Sequence, residues 1–243
     1  LLERHYANFG VENLSVASSS FDTWLDGYVR GIPNRKGSIY TEGALVAFIT
    51  DIFIMKNTNN KKGLKDVMKI LYTDFAQKGK GVSDVDYKVV VEKVAGSSYD
   101  KIYTALIHGI ADFTPWLKDA AKYIGCEIKI TPSNKYNEAK FGFKVRYENN
   151  NCIIDNIPPN AIAEKLGLAV GDEILAINNI KLANDLEQWS NYFGNEKQTI
   201  IIKRALGKIE AIDLKSDKKI YFNNYELIIK EEKAPNFVDW RKK

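Results

Sequence analysis

Residues 159–179 read PNAIAEKLGLAVGDEILAINN, and this stretch decides how the second half of the chain folds. Ala161, Ala163 and Leu166 place small and apolar groups on one face of a short helix. Gly167 suits the left-handed residue that closes such a helix, and Leu168 would then turn back into a core. Gly171-Asp172 reads as a turn. From Glu173 to Asn178 apolar Ile174 and Ala176 alternate with their neighbours in strand fashion. Asn178-Asn179 tolerates the positive φ of another tight turn.

The same grammar runs outward from this stretch, beginning at Glu127. Strands are expected at 141–147, 151–157, 173–177, 199–205 and 208–214, with helices near 160–166 and 183–193. Residues 220–230 alternate Tyr221, Asn223, Tyr225 and Leu227, and are expected to pair outside that core. Strands interrupted by one short and one longer helix, in this order, resemble a PDZ domain. The resemblance implies an extended peptide added as a strand between the second strand and second helix, its terminal carboxylate held by backbone amides. On that reading Lys140, Phe141, Gly142 and Phe143 form the carboxylate loop. Gly142 gives the backbone room, and Lys140 adds charge attraction. Leu186, Trp189, Ser190 and Phe193 form the helix side of the groove, give or take one residue. An apolar Leu186 would favour an apolar ligand residue, and Trp189 either lines the groove or fills it.

Composition bounds the alternatives. A chain of 243 residues suits two ordinary domains, and 45% hydrophobic with 27% charged residues is the balance of a globular protein. The formal net charge of +4 is spread along the chain, whereas nucleic-acid binding needs clustered Lys and Arg, so that partner is not expected. The longest apolar run, 44–55, is interrupted by Thr50 and Asp51, and no membrane span is expected. Cys126 and Cys152 show no metal-ligand spacing and read as small buried apolar residues. The chain opens at Leu1, inside an amphipathic pattern and without a leader, which reads as a fragment of a longer polypeptide.

Up to about Gly125 the periodicity is helical. Ser20 is expected to cap a helix with Phe21, Trp24, Leu25 and Tyr28 on one face, and Trp24 and Trp116 read as core. Residues 31–37 are a loop by composition. Residues 40–55 form a helix apolar enough to be buried on most sides, with Leu45, Phe48, Ile49, Ile52 and Phe53 in phase. Leu64, Val67, Met68, Leu71 and Phe75 mark an amphipathic helix. Ser83 starts another that Gly96 stops, and 99–108 and 115–124 complete the set, Pro115 opening the last. Glu42 is most simply a first-turn acid favoured by the helix dipole, and His108 a structural residue beside Gly109.

Ser20-Phe21-Asp22-Thr23-Trp24, followed by Ser38-Ile39-Tyr40-Thr41-Glu42-Gly43-Ala44-Leu45-Val46, resembles the glycyl aminopeptidase-type metallopeptidases. These are thermolysin-like gluzincins with a C-terminal PDZ domain. Gly63-Leu64-Lys65-Asp66-Val67-Met68, Val94-Ala95-Gly96, His108-Gly109, Pro115-Trp116-Leu117 and Trp240 extend the resemblance over nearly the whole chain. It implies a multidomain α + β fold. Residues 1–125 would be the all-α helical half of a thermolysin-like catalytic domain, 126–216 a PDZ-like β-sandwich or barrel, and 217–243 an extension with one extra strand.

The resemblance also implies a zinc-dependent aminopeptidase with a glycyl or alanyl preference, a peptide or protein substrate and a cell-envelope location. Its His-Glu-x-x-His zinc motif is missing here: His5 precedes Tyr-Ala-Asn and His108 precedes Gly-Ile-Ala. Zinc is therefore expected in the full-length parent and not on this fragment, which should be inactive alone. Tyr40 matches the tyrosine that donates a hydrogen bond to the oxyanion in such enzymes, a task suited to a neutral phenol. From its spacing alone it reads rather as a core anchor for the apolar helix. The alternative function is a non-catalytic PDZ peptide-binding or interaction protein with a helical scaffold.

Overall fold

The computed structural model describes residues 1–26 and 34–242. Its helices are α1 (Leu2–Tyr6), α2 (Val16–Asp26), α3 (Ile39–Asn57), α4 (Leu64–Ile70), α5 (Asp84–Ala95), α6 (Asp100–Ile102), α7 (Thr114–Tyr123), α8 (Ile162–Lys165), α9 (Leu186–Phe193) and α10 (Pro235–Arg241). The strands are β1 (Cys126–Pro132), β2 (Lys144–Glu148), β3 (Asn151–Asn156), β4 (Glu173–Ile177), β5 (Ile180–Lys181), β6 (Gln198–Lys203), β7 (Ile209–Leu214) and β8 (Asn223–Ile229). The chain divides into two compact units, Leu1–Lys129 with Glu226–Lys243, and Ile130–Tyr225. The segment from Glu226 onward thus belongs with the helices rather than standing apart as an extension.

In the helical unit α3 is the hub, with α1, α2, α4, α5 and α7 packed around it. Leu45, Val46, Ile49, Ile52, Ile54 and Met55 are all buried, each contributing about 1.5–3 kcal/mol by leaving water. Thr50, fully buried among them, donates its hydroxyl to the Val46 carbonyl at 2.8 Å and meets the Tyr99 hydroxyl. Burial raises the Tyr99 phenol well above its ordinary value. The far end of α3 is tied by Asp51, which accepts from the Leu64 amide and from the Trp240 indole of α10.

Local signals fall where the sequence placed them. Ser83 and Asp86 form a reciprocal capping box on α5, and Gly96 ends that helix at φ +67°. Helix α2 is different: it begins at Val16, four residues before Ser20, and Ser15 accepts from the Ser18 amide at its start. Phe21, Trp24 and Leu25 do share a face, but that face is exposed, and Trp24 at 90% exposure is no core residue. Helical period identifies a common face without saying which side meets the core; buried Ser19 lies on the inward side. Met68 is likewise exposed while its neighbour Val67 is buried. Tyr28 and the first part of the 31–37 loop lie outside the described residues.

The second unit is an antiparallel sheet in the order β2-β3-β4-β6-β7, with β5 on β4. Ile174 and Ile177 of β4 face Ile202 and Ile200 of β6 in register, and these side chains form the core with Phe141, Phe143, Ile154 and Leu186. The opening stretch folds as its residues dictate. Gly167 has φ +79°, Leu168 is buried, and Asn178 and Asn179 both take positive φ. One element is not local: Arg204 donates to the Gly167 carbonyl at 2.7 Å and to buried Asp172 at 2.6 Å, clamping the turn.

The strand expected from residue 141 begins at Lys144 instead, because Asn137–Phe141 forms a π-helical turn. Gly142 ends this turn at φ +76°, and a Cβ there would lie 2.6 Å from the Ala161 Cβ and 2.9 Å from the Tyr221 ring. Gly142→Ala is therefore expected to destabilise this unit by about 2–4 kcal/mol, left-handed strain and overpacking adding together. Urea unfolding followed by Trp189 fluorescence measures it, and a loss below about 0.5 kcal/mol would show that the loop relaxes freely.

Candidate functional site

The first candidate is the start of α3. Ser38 caps it, accepting from the Thr41 amide, and Tyr40 follows with 67% of its surface exposed. That exposure removes the core-anchor reading of Tyr40. Glu42, one half-turn on, points the other way and is 2% exposed. Its Oε2 lies 2.5 Å from Nδ1 of His5, which is 4% exposed. Phe113 and Tyr6 pack their rings against the imidazole at 5.0 and 4.7 Å. Burying a carboxylate is costly unless it is paired, so Glu42 is more than a surface acid at a helix dipole. Among the described residues its Oε1 has no hydrogen-bond partner, nor has Ser19 Oγ, and both residues line a cavity of about 10 Å³, the space of a single water molecule.

The N-terminal segment also braces the loop that leads into α3. Gly10 packs so closely on Lys36 that a Cβ would lie 2.2 Å from the Lys36 carbonyl oxygen. Asn13 donates to the Asn34 carbonyl at 2.6 Å, and Arg35 pairs with Asp22 of α2. His108 packs its ring at a tilt on Tyr103 and lies 3.8 Å from Asp84, a structural setting. Among the described residues no three His, Cys, Asp or Glu side chains come together as a metal site. Nothing in the sequence signalled the His5–Glu42 pair, whose members are 37 residues apart.

The second candidate is the space between edge strand β2 and α9. Phe141 and Phe143 are buried in the core and Lys140 is half-buried. The amides of Gly142 and Phe143 both donate to the Asn137 carbonyl, Phe143 at 3.3 Å. Leu186 is a core residue, and Ser190 is buried with its hydroxyl donating to Gln198. Trp189 is half-buried, donates to Asp185 at 2.9 Å and stacks on Phe193.

The helix residues that reach toward β2 and the segment before it are Glu187 and Asn191. Glu187 accepts from the Tyr147 hydroxyl of β2 and from Lys135 at 3.2 Å. Asn191 accepts from the Tyr136 amide at 2.6 Å and donates to the Asn134 carbonyl at 3.0 Å. The groove-facing side of α9 is thus polar and lies one residue on from Leu186. A shift of one in helical phase would have found Glu187.

Burial and the Glu187 carboxylate together raise the Tyr147 phenol. Burial, then the same carboxylate, pushes the Cys152 thiol up to about 12. Because the folded thiol sits above its unfolded value, its contribution to stability is complete below about pH 8.5 and is lost as pH rises toward about 12. Urea midpoints measured from pH 7 to 10.5 should fall above pH 8.5, and Cys152→Ala should flatten the fall by up to about 1.4 kcal/mol per pH unit. A native thiol at Cys152 that reacts with Ellman's reagent at pH 8 as fast as the unfolded chain would contradict this.

Residues 129–205 match the PDZ domain family. Over 98% of its length the chain superposes on an aminopeptidase N family protein from Idiomarina loihiensis, with a TM-score of 0.82 and 20% identity. The chain covers 42% of that protein, so it spans less than half of it. An HtrA-type protease solved with a decapeptide matches 40% of this chain and 31% of its own, at 16% identity and a TM-score of 0.27. The PDZ domain of EpsC from Vibrio cholerae matches 42% of this chain and 97% of its own, at 11% identity and a TM-score of 0.27. No curated protein matches the chain in sequence. The first likeness is one of fold.

Proposed function

We propose that this chain is the C-terminal portion of a zinc-dependent aminopeptidase that cleaves peptides near a free N-terminus, with a glycyl or alanyl preference, and that its PDZ module binds peptide. The observation that carries the proposal is Tyr40, exposed at the capped start of α3 in a fold shared with an aminopeptidase N family protein. A phenol is neutral at pH 7 and can donate its proton to the oxygen that gains charge as a peptide carbonyl becomes tetrahedral. The N-terminus of α3 favours the same developing negative charge.

The described residues of this chain do not fit zinc, since they offer no converging ligand set. Its ligands in the full-length protein would lie elsewhere in the polypeptide, and no step of the chemistry is assigned to this chain through the metal. In the PDZ unit, the free edge of β2 is where an extended peptide would add, beside Glu187 and Asn191. The engaged amides of Gly142 and Phe143 leave less for a terminal carboxylate than the expected loop would.

Full-length protein assayed on glycyl and alanyl anilides, with and without chelator, tests the reaction class. Tyr40→Phe should then lower kcat by about 10²–10³ with KM nearly unchanged, as loss of a single oxyanion donor does. Unaltered kcat in the Phe variant would remove Tyr40 from the mechanism. Absence of any peptidase activity would leave a peptide-binding protein on a helical scaffold.

A further inference from the structure

A second cavity in the helical unit, about 310 Å³ in volume, is lined by His5, Tyr6, Phe9, Glu12, Asp112 and Phe113 among others. That is the low end of the range for small-molecule pockets. We propose that it binds a small organic ammonium compound, an arylalkylamine in the simplest case, with Nε2 of His5 accepting from the ammonium group.

Four features of the wall select this chemistry. Glu42 holds Nδ1 of His5 at 2.5 Å, so the ring is fixed and its Nδ1–H is directed at the carboxylate. Nε2 has no hydrogen-bond partner among the described residues, which leaves it as the uncommitted ring nitrogen of a residue that lines the cavity. Among the described residues the other charged side chains of the wall, Glu12 and Asp112, are both acidic, and they favour a cation over a carboxylate. One Asp112 oxygen caps the Thr114 amide at 2.8 Å, which fixes that carboxylate at the wall. Tyr6, Phe9 and Phe113 add aromatic side chains to the lining, which suits an apolar ligand body.

A buried imidazole–carboxylate pair is a poor way to stabilise a core, since apolar residues of similar volume serve as well. With one ring nitrogen committed to Glu42 and the other uncommitted, a histidine that lines a cavity is suited to recognition. The site does not depend on Tyr40, whose side chain lies on the opposite, exposed side of α3.

The test is an NMR titration of the 243-residue chain with phenethylamine, N-acetylphenethylamine and phenylacetate, following the imidazole signals of His5 and His108. Phenethylamine should shift His5 saturably and leave His108 in place, while the neutral amide and the anion should bind at least about tenfold more weakly. His5→Gln keeps a donor for Glu42 but loses Nε2, and should weaken phenethylamine about tenfold. Glu12→Gln, at an exposed position, should weaken it about threefold. No saturable shift of His5, equal binding of the three compounds, or unchanged affinity in both variants would overturn the proposal.

Discussion

Leu45, Val46, Ile49, Ile52, Ile54 and Met55 of α3 lose nearly all contact with water, and they do so on more than one side of the helix. A helix that is apolar nearly all round can be stable only when surrounded. That requirement draws α1, α2, α4, α5 and α7 onto it and leaves its two ends as the places where polar chemistry is possible. At the far end Thr58 closes the helix, and Asn60 gathers Tyr123, Asn236 and Asp239. At the near end the Ser38 cap and the Glu42–His5 pair hold the first turn on its inner side. Tyr40 is therefore displayed from a first turn held by a cap and a buried pair, which suits the oxyanion role proposed for it.

The sheet unit rests on a different constraint, the facing isoleucines of β4 and β6. Once they are in register, the turn between α8 and β4 must close tightly, and Arg204 on buried Asp172 closes it from the other side of the sheet's connection. The same packing sets the phase of α9. With Leu186 and Ser190 turned inward, Glu187 and Asn191 are left to face β2, and the groove acquires a polar wall.

Much of this was legible because the causes are local. Gly167, Gly171 and the Asn178-Asn179 pair announce positive φ, β4 falls on the expected residues, and Ser83 and Gly96 bracket α5. The illegible parts depend on which neighbour an element meets. Periodicity grouped Phe21, Trp24 and Leu25 without revealing that they face outward. The π-helical turn at Asn137–Phe141 ends at Gly142, which packs closely on Ala161 and Tyr221, neighbours distant in sequence. His5 and Glu42 come together only after α1 has docked on α3. The polar side of α9 lies within the one-residue latitude that its helical phase left open.

Transition-state stabilisation by Tyr40 is tested most directly by comparing two inhibitors on the full-length polypeptide, a phosphinic dipeptide analogue of the tetrahedral intermediate and the amino-acid product. Only the first presents the oxyanion. Tyr40→Phe should weaken the phosphinate by about 10²-fold and leave the product's inhibition constant unchanged. Equal effects on both inhibitors, or none on either, would contradict the role assigned to Tyr40.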